Sequence, residues 1–201
     1  MKRIIFLSLL FLFTVFSVFL IACSDKEEKK EEKTGDNVNV EYGEEAFLQT
    51  LEESALCYFS LFDRTGFDSY IYAFPDDWRI SFAEFLGLDD EEFCKSVEEG
   101  ALTLAKSRIS DYGDKYVVGF EMLEEEELQA DDYSAFVNMM SQDFFVDADK
   151  ITEAKRVLYR VVYFEDEEKK SVISSSTVVL TFANIVDEGW KVSPENYIDV
   201  R

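Results

Sequence analysis

The sequence contains no histidine, which removes imidazole general bases, serine and cysteine triads of the usual kind, and histidine-ligated zinc. Positive charge is also scarce. Twenty lysines and arginines stand against 43 aspartates and glutamates in 201 residues, a formal charge of −23. A surface this acidic repels phosphate backbones and speaks against nucleic acid as a partner. Cysteine occurs three times, at Cys23, Cys57 and Cys94. Internal repeats are absent.

Charge is missing altogether from residues 4–22, which contain five phenylalanines and follow Lys2 and Arg3. A basic start, an apolar run and a charged segment after it have the form of an export signal. The run is also about long enough to span a bilayer as a helix, for which roughly 17 to 25 apolar residues suffice. Its end favours the signal peptide. Leu20-Ile21-Ala22-Cys23 resembles the lipobox of bacterial lipoproteins, in which the cysteine is acylated on sulfur and becomes the new N-terminus after cleavage. That resemblance implies a signal peptide over residues 1–22, lipidation of Cys23 and a location on the outer face of the cytoplasmic membrane. The membrane is then a partner through the lipid anchor, and several acyl chains at about 0.8 kcal/mol per buried methylene hold stably where one would exchange.

Residues 24–41 contain almost nothing apolar, so they cannot bury a core and are expected to form a disordered tether. As a coil, the 18 residues span on the order of 23 Å. Residues 23–41 thus make the anchor and tether, and residues 42–201 a single folded domain, long enough to bury roughly 70% of its unfolded surface.

Within that domain Phe47, Leu51, Ala55, Tyr58 and Phe62 recur at helical spacing and predict a helix over residues 44–64 that ends by Gly66. Pro75-Asp76-Asp77 suits the first turn of a second helix, with Trp78, Phe82, Phe85 and Leu86 as its apolar side and Gly87 as its end. Asp89 or Asp90 can cap a third helix carrying Phe93, Val97, Ala101 and Leu104 to about Ile109. After the turn chemistry of residues 111–114 the period changes to two. Tyr116, Val118, Phe120 and Met122 alternate with less apolar positions and predict a half-buried strand. Residues 124–142 read as helix. Residues 151–164 and 172–186 read as long strands joined by a solvated turn, and residues 190–192 as a last short one. Val157, Tyr159, Val161, Val178, Leu180, Phe182 and Trp190 are expected to share one sheet that meets the first helix. Helices first and antiparallel strands afterwards give an α+β class, with N-terminal helices packed on a curved sheet of about four strands.

The order of these elements, with Asp111-Tyr112-Gly113-Asp114 leading into a strand, Ile151-Thr152-Glu153-Ala154 opening another and Glu188-Gly189-Trp190-Lys191-Val192 near the end, resembles lipoproteins of Gram-positive bacteria whose folded part is similar to the nuclear transport factor 2-like cone. The resemblance implies a fold and no activity. Enzymes of that superfamily use aspartate, tyrosine or histidine inside the cone, and none of their motifs matches here.

Candidate chemistry is accordingly thin. Cys57 and Cys94 make an even extracytoplasmic pair that permits a disulfide, against the alternative of two separate small core residues. Neither thiol has an evident means of lowering its pKa. Asp147-x-Asp149 begins like a calcium loop, but Ile151, Thr152 and Leu158 occupy the positions of a ligand, the glycine and the bidentate glutamate. The acidic runs at residues 124–127 and 131–132 read as solvated faces. The aromatic stretch from Tyr70 through Phe74 to Trp78 suits either a pocket for an apolar or sugar ligand or core packing. Lys150, Lys155, Arg156, Arg160, Lys169 and Lys170 are the one positive concentration, expected to pair with neighbouring carboxylates. No catalytic residue, cofactor or metal is assigned. The chain reads as an envelope protein that recognises a protein or small molecule, with a cone-type enzyme using a buried carboxylate as the alternative.

Overall fold

The computed structural model describes residues 47–65 and 67–201. The expected signal peptide and tether, Cys23, the first residues of the expected domain (42–46) and Gly66 lie outside the described residues. Among the described residues four α-helices, α1 (Leu51–Ser60), α2 (Asp76–Leu86), α3 (Asp90–Tyr112) and α4 (Ala130–Phe144), accompany four strands, β1 (Val117–Glu127), β2 (Ile151–Phe164), β3 (Val172–Ile185) and β4 (Gly189–Val192). The strands form one antiparallel sheet in the order β1-β2-β3-β4, and the class is α+β. Register shifts at Met122/Glu124, Ile151/Glu153 and Tyr163/Phe164 bend the strands locally, as bulges do. Among the described residues no helix is long and apolar enough to cross a membrane.

Local chemistry sets the helix starts. Thr50 caps α1 by accepting from the Glu53 amide, while Glu53 accepts from the Thr50 amide. Asp89 and Glu92 repeat that reciprocal box at α3. Each cap is worth about 1 kcal/mol. Here α1 begins seven residues later than the apolar spacing predicts, and Phe47 is 54% exposed, because the chain before α1 is used otherwise. Leu48 bridges Gly189 in parallel, its amide donating to the Glu188 carbonyl and its carbonyl accepting from the Trp190 amide at 2.8 Å. That short segment covers the free edge of β4.

The expected helix over residues 124–142 is corrected in its first third. Glutamate favours helices as an isolated residue, yet residues 124–127 extend β1, where Glu125 and Glu126 meet Lys155 and Arg156 of β2. Cross-strand pairing wins over local propensity, and α4 starts only at Ala130. Two expected core positions are also corrected: Phe85 is 79% and Met122 40% exposed.

The core is built as expected around α1 and the sheet. Val157, Tyr159, Val161, Leu180, Phe182 and Trp190 are buried and Val178 half-buried. Val157 lies opposite Leu180, and Tyr159 opposite Val178. Phe59 of α1 packs on Tyr159 and Phe120, with ring centroids 5.2 and 4.6 Å apart. Trp190 lies beneath the Lys155 ammonium, 5.2 Å from its ring centre.

Two substitutions test this frame. Trp190→Ala should cost roughly 3 to 5 kcal/mol, as large aromatic truncations in cores do. Gly189 has φ of 77° and a Cβ added there overlaps the Leu48 carbonyl oxygen, so Gly189→Ala should cost about 2 kcal/mol, since the left-handed backbone alone costs alanine about 1 to 2. Urea midpoints of the two variants check both, and an unchanged midpoint for either refutes the corresponding contact.

Candidate functional site

The described part of the chain concentrates buried charge in one place, where the β3–β4 turn meets the start of α2. Lys191 alternates with Trp190 and Val192 on β4, and only 2% of its side chain is exposed. Its Nζ donates to the Tyr72 carbonyl at 3.0 Å and lies 3.9 Å from Glu188 Oε2. Glu188 Oε2 in turn accepts from the Asp76 amide at 2.9 Å. Pro75 offers α2 no side-chain cap, so a carboxylate from the far end of the sequence does the capping, at the helix end that favours negative charge.

Beyond Asp76 the network continues into α2 and α3. Arg79, 4% exposed, lies 3.3 Å from Asp76 and is bonded to Asp90. It also donates to Cys94 Sγ at 3.5 Å and stands over the Tyr72 ring. Lys150 reaches Asp77 at 3.0 Å from the turn before β2. Burial works against the Arg79 cation, but Asp76 and Asp90 hold its pKa above the usual value. Lys191 has the opposite balance: burial depresses its pKa although Asp76 and Glu188 oppose the shift. Burial likewise raises Glu188 above the ordinary carboxylate range.

Cys57 lies in this neighbourhood on α1 and is fully buried. Burial pushes its thiol up to about 12, with the Lys191 charge only partly offsetting it. A thiol so placed is protonated at neutral pH and makes a poor nucleophile. In this structure no bridge joins the pair: Cys57 is a free thiol in the core, and Cys94, half-buried on α3, accepts from Arg79. Cys57 is nevertheless inside although it lies off the apolar stripe, because α1 is buried on nearly every side.

The other sequence candidates resolve into structure. Asp147 caps the short 3-10 turn Ala148–Lys150 by accepting from the Asp149 amide, and the chain then enters β2. Among the described residues no group of three or more acidic or cysteine side chains is placed to hold a metal ion. Five of the six clustered cations pair with carboxylates: Lys150 with Asp77, Lys155 with Glu125 and Glu153, Arg156 with Glu126, Arg160 with Glu121, and Lys170 with Glu168. Exposed pairs of this kind contribute about 0 to 1 kcal/mol each. Tyr70, Phe74 and Trp78 are buried and meet edge to face or tilted, at 5.2 Å centroid spacing. A shallow cleft of about 190 Å³ lies at the start of α4, lined among others by Glu127, Tyr133, Thr152 and Glu153. It is smaller than the roughly 300 to 1,000 Å³ of typical ligand pockets. Its hydroxyls are engaged by main chain, Tyr133 donating to the Ile151 carbonyl and the exposed Thr152 to that of Asn184.

Glu188, Lys191 and Arg79 escape a reading of the sequence alone. The available signal is Lys191 itself, a charge placed between two apolar residues of a strand too short to show a period.

Two outcomes follow from the network. Cys57 should resist maleimide at pH 8 in the folded protein and react on denaturation, and non-reducing mass analysis should find no bond between Cys57 and Cys94. Glu188 has a folded pKa raised above its unfolded value, so its contribution to stability is fully present below about pH 4.3 and is lost as pH rises through the folded pKa. Relative to Glu188→Gln, which keeps an acceptor for the Asp76 amide, the unaltered chain should therefore gain stability as pH falls through that window; denaturant midpoints at stepped pH read the difference, and parallel profiles refute the buried carboxylate. Comparison with protein-family models, curated proteins and solved structures finds no match to this chain.

Proposed function

We propose that this chain is a lipid-anchored extracytoplasmic protein whose folded part is a non-catalytic binding or accessory module of the cell envelope, holding a protein or small-molecule ligand. The observation that carries the reading is Leu20-Ile21-Ala22-Cys23 at the end of an uncharged run behind Lys2 and Arg3. The anchor sits on Cys23, the tether spans residues 24–41, and the domain is related to the nuclear transport factor 2-like cone. An acidic surface keeps the domain off an anionic membrane face and leaves it open to a ligand.

The geometry of the buried groups supports recognition over catalysis. The Cys57 thiol is pushed up to about 12, away from the range in which a thiolate attacks. Lys191 is engaged by a carbonyl and a carboxylate. The alternative, a cone-type enzyme with a carboxylate acid or base, is favoured by one observation: burial raises Glu188, as catalytic carboxylates are often raised.

Intact mass and membrane partition test the anchor. The mature chain is expected to begin at an acylated Cys23 and to move to the soluble fraction as Cys23→Ala; a full-length unacylated chain overturns the reading. Turnover of an ester, glycoside or ketosteroid substrate that disappears in Glu188→Gln, with the fold retained, replaces the binding module by the enzyme.

A further inference from the structure

The sheet has two edges, and they are finished differently. On β4 the Leu48 amide and carbonyl take up the Glu188 carbonyl and the Trp190 amide. On β1 nothing comparable occurs: among the described residues its ladder runs to β2 alone, and no other main-chain bond reaches residues 117–127. Every second residue of such a strand turns its amide and carbonyl away from the sheet.

The two halves of β1 differ in what surrounds them. Residues 117–120 are buried or half-buried, whereas all seven residues from 121 to 127 are exposed. They include Met122 and Leu123, 40% and 39% exposed, and the irregularity between Met122 and Glu124 leaves Leu123 without a partner on β2. At about 3.3 Å per residue the open stretch is roughly 23 Å long.

Its charge is one-sided. Glu121, Glu124 and Glu126 share the face of Arg156, Leu158 and Arg160, while Glu125 and Glu127 share that of Lys155 and Val157. Lys155 is held by Glu125 and Glu153, and Arg156 and Arg160 lie 3.8 and 3.5 Å from Glu126 and Glu121. Glu124 stands opposite Leu158 and has no described ion pair; Glu127 stands opposite a lysine that is already taken. Each face of the edge therefore presents a carboxylate that the sheet does not neutralise.

The same charges exclude one occupant. Two copies pairing β1 with β1 about a twofold axis do so antiparallel, and every such register that joins four or more of residues 121–127 sets glutamate opposite glutamate, which destabilises a strand pair. A strand of opposite charge meets no such barrier. Strand addition gives affinity through main chain and selectivity through side chains.

We propose that the outer edge of β1 over residues 121–127 is a docking edge for an extended, lysine- or arginine-rich segment of another protein, which adds to the sheet as a further strand beside β1. Cations on the two faces of that segment meet Glu124 and Glu127, and an apolar side chain meets Met122 or Leu123. Charge selects a basic strand, and open main chain selects an extended one. This inference rests on the reading of the domain as a binding module and names the partner's chemistry; it does not depend on the lipid anchor.

A fluorescent peptide, Lys-Lys-Val-Thr-Lys-Lys-Val-Thr-Lys, titrated with the intact chain tests the edge. Binding should weaken about 10-fold in the double variant Glu124→Lys, Glu127→Lys, where an attractive pair on each face becomes repulsive. N-methylation of one alternating set of peptide amides should also weaken it about 10-fold, because it removes main-chain donors and keeps the charge, and methylation of the other set should be tolerated. In hydrogen exchange the peptide should slow amides within residues 121–127 and leave the Trp190 amide, bonded to Leu48, unchanged. Absence of binding, equal binding by the folded double variant, or indifference to both methylated sets overturns the proposal, the last reducing the contact to charge attraction. Slowing of the same amides at raised protein concentration without peptide overturns it in favour of a second copy. The turnover test on Glu188 is read separately, so the edge can fail while the binding module stands.

Discussion

Lys191 carries a cation from the shortest strand of the sheet into the interior, with 2% of its side chain exposed, and the elements around it are arranged so that this charge is met. The cost of removing an ion from water is several kcal/mol even after relaxation, and it is balanced by the Tyr72 carbonyl, Glu188 and the more distant Asp76. Glu188 can serve Lys191 only because the β3–β4 turn is tight, with Asp187 and Gly189 both in the left-handed region. The same turn is gripped from outside by Leu48. One short stretch of chain therefore ties together the segment before α1, the start of α2 and the edge of the sheet.

That arrangement also explains why the buried ionisable groups form a structural set. Each charge is met by opposite charge or by main chain: Arg79 by Asp76 and Asp90, Lys191 by Glu188 and a carbonyl, Glu188 by an amide at the positive end of α2. Breaking one partner leaves the other buried and uncompensated, the costly outcome for such pairs, so the network specifies how α2, α3 and β4 dock on each other. The aromatic rings fill the adjoining space, and Arg201 and Tyr197 extend the same packing to the surface.

The sequence by itself determined the features that depend on neighbours along the chain. The α+β class, the two long strands, the short one after Asp187-Glu188-Gly189, the αL end of α2 at Gly87 and the cap at Asp89 are local matters of period, turn chemistry and unsatisfied amides. The lipobox-like run Leu20 to Cys23 is legible in the same local way, as four consecutive residues behind an apolar run, and lies outside the described residues. Tertiary structure decided what depends on contacts between distant residues. The glutamates of residues 124–127 are strand because Lys155 and Arg156 face them from β2, about thirty residues away; Leu48 is not helical because Gly189 needs a partner. Cys57 is inside because α1 is enclosed on several sides, which a single helical stripe cannot foretell. The buried set of Glu188, Lys191 and Arg79 remained hidden for the same physical reason: each is a balance of desolvation against a partner on another element, and no local pattern records which partner that is.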